Sequence, residues 1–186
     1  MRTHILKPLL ILAAAALGAC DGGTNLPPVE DEVGRVAFTY SVAGVQSGAR
    51  FTVEGAKPAA GPSGTWAAST TDDMDAVVYA QREQGTIHDQ IVLSIPGGTA
   101  TTSSIVPDCD ESCAYVSFRM EKAVGGVERA YVCEITQGTI SVLTFSETRM
   151  RGTFSGTGNC SSPGVEGEPA FSVTGGTFDT PLADHI

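Results

Sequence analysis

From residue 34 to residue 42 the apolar side chains recur at every second position: Val36, Phe38, Tyr40 and Val42 share one face, and Arg35, Thr39 and Ser41 share the other. A period of two is that of a strand buried on one side. The pattern returns with Ala49, Phe51 and Val53 set against Arg50, Thr52 and Glu54, and a loop over 43–48 with two glycines joins the two segments as a hairpin. Further strands are predicted over 76–82, 88–95, 114–120, 130–136, 139–146, 150–157 and 171–179, about nine in all. No window of a dozen residues carries apolar spacings of three and four without Gly, Pro or a β-branched run breaking it, so helices are not expected. The stretch 55–71, rich in Ala, Gly, Pro, Ser and Thr, reads as a long loop packed down by Trp66, with room for a short helical turn. Short strands and Gly-rich turns predict an all-β fold. An antiparallel β-sandwich is the expected architecture, with a closed or partly open β-barrel as the alternative.

A Gly, a Thr and an apolar residue recur at Gly85 to Ile87, Gly138 to Ile140, Gly152 to Phe154 and Gly176 to Phe178. The intervals are too irregular for a solenoid. The expected explanation is local: Gly ends a turn, Thr begins a strand and the apolar residue makes the first core contact.

Composition narrows the setting. The chain of 186 residues is 41% hydrophobic, enough for one domain with a single core. It carries 21 acids against 11 bases, and an acidic chain without a basic block is a poor match for phosphate backbones, so no nucleic-acid partner is expected.

The N-terminus reads as an address. Arg2 and Lys7 precede an apolar run from Pro8 to Ala19 that is too short to span a bilayer, which takes about 20 residues. The junction Leu17, Gly18, Ala19, Cys20 is similar to the bacterial lipobox. That resemblance implies cleavage before Cys20, a diacylglyceryl group on its thiol, and fatty acylation such as palmitate on the new amino group. The expected organisation is a lipoprotein signal peptide over 1–19, a lipidated N-terminus and flexible tether over 20–33, and a single β-rich domain over 34–186. Loss of Arg2 and Lys7 with the signal leaves a mature net charge of −12. Such a globule is repelled by anionic headgroups, and the spacer DGGTNLPPVEDE can span about 20 Å as a coil. Asp21 resembles the inner-membrane retention signal of enteric bacteria, which leaves inner and outer membrane both open.

Removing Cys20 leaves Cys109, Cys113, Cys133 and Cys160, an even number suited to disulfides in an oxidising compartment. If 139–146 and 150–157 form a hairpin turning near Glu147 and Thr148, its register carried back brings Cys133 to within about two residues of opposite Cys160. A Cys133–Cys160 bridge is expected from that, with Cys109 and Cys113 left to close a small local loop. Zinc ligation fits the spacing poorly, and no metal or cofactor is expected.

Candidate chemistry is sparse. His88 stands at the start of a strand and reads as a surface residue. Nucleophile-elbow, zinc-protease and phosphate-loop motifs are lacking. Asp72, Asp73 and Asp75, and Asp108, Asp110 and Glu111 around Cys109, are acidic clusters that could ligate calcium, although neither matches the twelve-residue calcium-loop pattern. Glu54 and Glu134 fall within strands, but nothing in the sequence places them as a glycosidase pair. No catalytic residue is assigned.

With its lipobox, VAFTYSVAGVQSGARFTVEG, GTISVLTFSETRMRGTFSGTGNC and FSVTGGTFD, the chain resembles a set of bacterial lipoproteins with a β-rich domain. Members of that set have no assigned activity, so the resemblance implies no catalytic residue, and it gives only Cys20 a role. The resulting expectation is a monomeric, non-catalytic, lipid-anchored cell-envelope protein whose surface meets a protein or glycan. A carrier of small apolar ligands and a carboxylate-dependent hydrolase are the alternatives.

Overall fold

The computed structural model describes residues 32–59, 63–72, 75–85, 87–97, 101–106 and 113–183, the side chains of Asp72, Gln84 and Ile87 excepted. Its strands are β1 (Val33–Val42), β2 (Gln46–Ala56), β3 (Trp66–Asp72), β4 (Asp75–Gln84), β5 (Ile87–Pro96), β6 (Thr102–Ile105), β7 (Tyr115–Val124), β8 (Val127–Phe145), β9 (Arg149–Ser161) and β10 (Ala170–Pro181). All are antiparallel neighbours in one sheet of order β2-β1-β10-β9-β8-β7-β5-β4-β3, with β6 paired to β8 beside that path.

The all-β class agrees with the alternation. The architecture is the barrel alternative, and the expected sandwich of about nine strands is corrected to one continuous sheet of ten. A sandwich needs a break between two hydrogen-bonded layers; here every step from β2 to β3 is a paired ladder. The segments 130–136 and 139–146 are two halves of β8. A bulge between Ile135 and Gln137 changes which residues face inward, from Cys133 and Ile135 to Ile140 and Val142, and so disguises a single strand as two. Two strands lay in segments without the expected alternation. β3 buries Trp66, Ala67, Ala68 and Ser69 in succession, and β6 has only four residues.

β3 explains how the sheet nearly closes. It crosses the ends of β2, β1 and β10, where Gly55 and Gly34 are cross-strand partners. A Cβ on Gly34 would collide with the Ala67 carbonyl oxygen, and one on Gly55 with that of Thr65, so only glycine lets the two layers of backbone meet. On the far side Ser69 and Thr180 share a buried hydroxyl hydrogen bond, and the Ala183 N–H donates to the Ser69 carbonyl at 2.7 Å. Trp66, also buried, stacks on Tyr79 with ring centroids 4.9 Å apart. The tryptophan expected to pin a loop thus anchors the closing strand, and no helical turn occurs among the described residues of 55–71.

Inside, one apolar cluster fills the space between the strands. Phe38 lies at its centre, with ring centroids 4.9 Å from Phe51, 5.1 Å from Phe118 and 5.5 Å from Phe154. Offset and edge-on pairs of this kind are worth about 0.5–1.5 kcal/mol each beyond the area they bury. Of the glycines that open the recurring Gly-Thr-apolar segments, Gly85 lies in a turn, just after β4, with φ 67°. Gly138, Gly152 and Gly176 lie within strands. The latter two segments pair with each other: Gly176 with Phe154, Thr177 with Thr153 and Phe178 with Gly152.

Candidate functional site

At the end of the barrel farthest from Gly34, the turn between β1 and β2 stands beside the outer faces of β8, β9 and β10 and borders a groove of about 850 Å³. Gly44 supplies the left-handed backbone that this turn needs, with φ 72°, and the Gly48 N–H donates to Ser41 Oγ at 2.9 Å. Across the groove Ser41 pairs with Ser172, Ser172 with Thr157, and Thr157 with Gln137. Four adjacent strands therefore present a row of hydroxyl and carboxamide groups. The β8 bulge makes the row possible, because it places Gln137 opposite Thr157. None of the groove's lining residues is charged. A second row follows, Ala37, Thr177, Thr153, Ser141 and Thr102, in which Thr102 and Ser141 hydroxyls lie 3.0 Å apart.

A second polar constellation faces the core. Arg82 and Asp89 are cross-strand partners on β4 and β5, and both keep the inward phase of their strands. They form an ion pair in which the Asp89 side chain is only 5% exposed. The other carboxylate oxygen of Asp89 accepts the Glu121 N–H at 3.2 Å. The Arg82 guanidinium lies 5.0 Å from the centroid of the Phe51 ring. Burial pushes the Tyr40 hydroxyl above its ordinary 10.0; the Asp89 carboxylate adds to that rise and Arg82 opposes it. With both its oxygens engaged, Asp89 serves to tie β4, β5 and β7 together at this end of the barrel.

Cys133 and Cys160 are joined by a disulfide, directly opposite each other on β8 and β9 and buried in the core. That bond removes both from any zinc site. Cys113 is also disulfide-bonded, while Cys109 and Cys20 lie outside the described residues. His88 is exposed and sits 3.6 Å from Glu83. Glu54 pairs with Arg35 on the surface at 3.2 Å. Glu134 is exposed on β8, four strand spacings from Glu54, or roughly 19 Å along the sheet, so the structure does not bring them together as a hydrolytic pair. Asp72 and Asp75 are register partners at the adjoining ends of β3 and β4; the Asp72 side chain and Asp73, Asp108, Asp110 and Glu111 lie outside the described residues. Among the described residues no three His, Cys, Asp or Glu side chains cluster as metal ligands.

Sequence reading missed both polar constellations. Arg82 follows Ala76, Val78 and Ala80 in phase, and Asp89 precedes Ile91, Leu93 and Ile95 in phase; that charge on an inward face was the available signal. The groove had no comparable signal, since its residues come from four strands and their alignment depends on bulges.

Fold and groove together define an all-β, barrel-like domain with a packed interior and an uncharged outer groove. No protein-family model matches the chain, and no curated protein or solved structure matches it either.

Proposed function

We propose that this chain is a lipid-anchored protein of the bacterial cell envelope, held outside the cytoplasm by an acylated Cys20, and that its barrel acts without catalysis, as a monomer, by binding a partner on its outer face. The observation that carries the binding mode is the packed interior. Phe38, Phe51, Phe118, Phe154 and their neighbours fill the space in which a carrier would hold an apolar ligand. The groove beside the β1–β2 turn is a concave surface open to such a partner. The anchor rests on Leu17, Gly18, Ala19 and Cys20, and on the polar spacer that follows them. Two or three acyl chains, at about 0.8 kcal/mol per buried methylene, would give attachment that salt cannot reverse.

Fractionation of bacteria expressing the full chain tests this reading. The wild-type protein is expected in membranes after high-salt and carbonate washes, and Cys20→Ser in the aqueous fraction. A Cys20→Ser protein that stays with the membranes contradicts the anchor.

A further inference from the structure

The groove's chemistry narrows its ligand, taking the surface-binding reading as given. In a chain of 21 acids and 11 bases its lining holds no Asp, Glu, Lys, Arg or His. An anionic ligand would meet a net negative molecule without a local counter-charge, and a cationic one would find stronger sites elsewhere on the surface. Set among apolar side chains such as Val45 and Ala170, the groove's polar groups both donate and accept hydrogen bonds: the Ser41, Ser172 and Thr157 hydroxyls and the Gln137 carboxamide, flanked by Asn159 and Gln46.

Two geometric facts favour a sugar chain over a peptide. The backbone groups of β10 and β9 are already paired with strands on both sides, so an extended peptide could not add itself as a further strand there. The row also repeats at the strand spacing of about 4.8 Å, so that its four members span about 14 Å. That repeat is close to the advance per ring of an extended β-linked pyranose chain.

We propose that the groove binds a neutral glycan, an extended run of pyranose units lying across β1, β10, β9 and β8 with its hydroxyls exchanging hydrogen bonds with Ser41, Ser172, Thr157 and Gln137. Phe171 is buried beneath the groove, so recognition rests on hydrogen bonds and not on ring stacking. Single-site affinity is accordingly weak, and many anchored copies on one membrane compensate through multivalency.

The test uses full-length Cys20→Ser protein, checked for the Cys133–Cys160 bond. Amide NMR spectra are followed during titration with β-1,4-linked hexasaccharides of glucose and of N-acetylglucosamine, and with hexagalacturonate as the charged counterpart. A neutral hexasaccharide is expected to shift the amides of Ser41, Gln137, Thr157 and Ser172. Gln137→Ala with Thr157→Val should weaken that binding about tenfold or more, through loss of two or more hydrogen bonds. Glu147→Gln, at the β8–β9 turn, should leave it unchanged. Lack of response to both neutral sugars, shifts that map elsewhere, or equal binding of hexagalacturonate would each overturn the proposal. A photo-cross-linker at Thr157 of the anchored chain separates the two levels. Capture of an envelope protein there without sugar binding removes the glycan and leaves surface binding; the absence of both removes surface binding too.

Discussion

Phe178 lies over Gly152 across the β9–β10 ladder, and two residues away Phe154 lies over Gly176 in the reciprocal arrangement. A Cβ at Gly176 would sit 2.8 Å from the Phe154 ring, and one at Gly152 would collide with Phe178 and with the Ser141 carbonyl oxygen. Each aromatic ring thus occupies the space its partner's missing side chain leaves. Gly152→Ala should cost about 1–3 kcal/mol by overpacking, and Phe178→Ala about 3–5 kcal/mol through the cavity it opens. Phe178→Leu should relieve the Gly152→Ala penalty only in part, because the Ser141 backbone remains. Urea denaturation of the single and double variants measures this, and full additivity would contradict the arrangement.

The Cys133–Cys160 bridge closes a separation of 27 residues. In the chain-entropy model a loop of that size contributes about 3–4 kcal/mol. A Cys133→Ala/Cys160→Ala variant should therefore lose stability on that scale while keeping its β-sheet circular-dichroism spectrum. Since both sulfurs are buried, dithiothreitol should reduce the bond in the native protein far more slowly than in urea. Comparable reduction rates would contradict the burial.

Arg82, whose side chain is 25% exposed, and the buried Asp89 form a pair whose halves depend on each other. Asp89→Ala leaves a partly exposed guanidinium without its partner and orphans the Glu121 N–H, so a loss of about 1–3 kcal/mol is expected. Arg82→Met combined with Asp89→Asn should recover much of it. A thermodynamic cycle over Arg82→Met, Asp89→Asn and their double variant gives the coupling; a value near zero would contradict a structural pairing.

Tyr40 sets a limit at alkaline pH. Burial and Asp89 raise its pKa in the folded state, so the fold favours the neutral phenol. The stabilisation this confers is fully present below the unfolded value of about 10 and is lost as pH rises through the higher folded value. The urea midpoint should fall more between about pH 9 and about pH 11 in the wild type than in Tyr40→Phe. Tyr79, raised by burial alone, adds a similar trend that Tyr40→Phe leaves in place.

Strands with one buried face were legible from alternation, as at Val36, Phe38 and Tyr40, and the register that joins Cys133 to Cys160 followed from the hairpin after them. Closure was not legible. β3 is buried on both faces, so Trp66 to Ser69 show no period, and the glycines that admit it, Gly34 and Gly55, look like ordinary strand ends. The groove was hidden for a different reason. Ser41, Ser172, Thr157 and Gln137 are far apart in sequence, and the bulge before Gln137 sets its alignment with the rest. Ser41, Ser172 and Thr157 each read alone as a solvated strand residue, and Gln137 as part of a break between two strands.

Intact-mass spectrometry of the protein purified from bacterial membranes tests the central claim, that a fatty-acylated Cys20 holds a packed β-barrel outside the cytoplasm. The account predicts a chain that begins at Cys20 and carries a diacylglyceryl group with a further acyl chain on its amino group. A mature chain that begins elsewhere, or one with an unmodified Cys20 thiol, would contradict it.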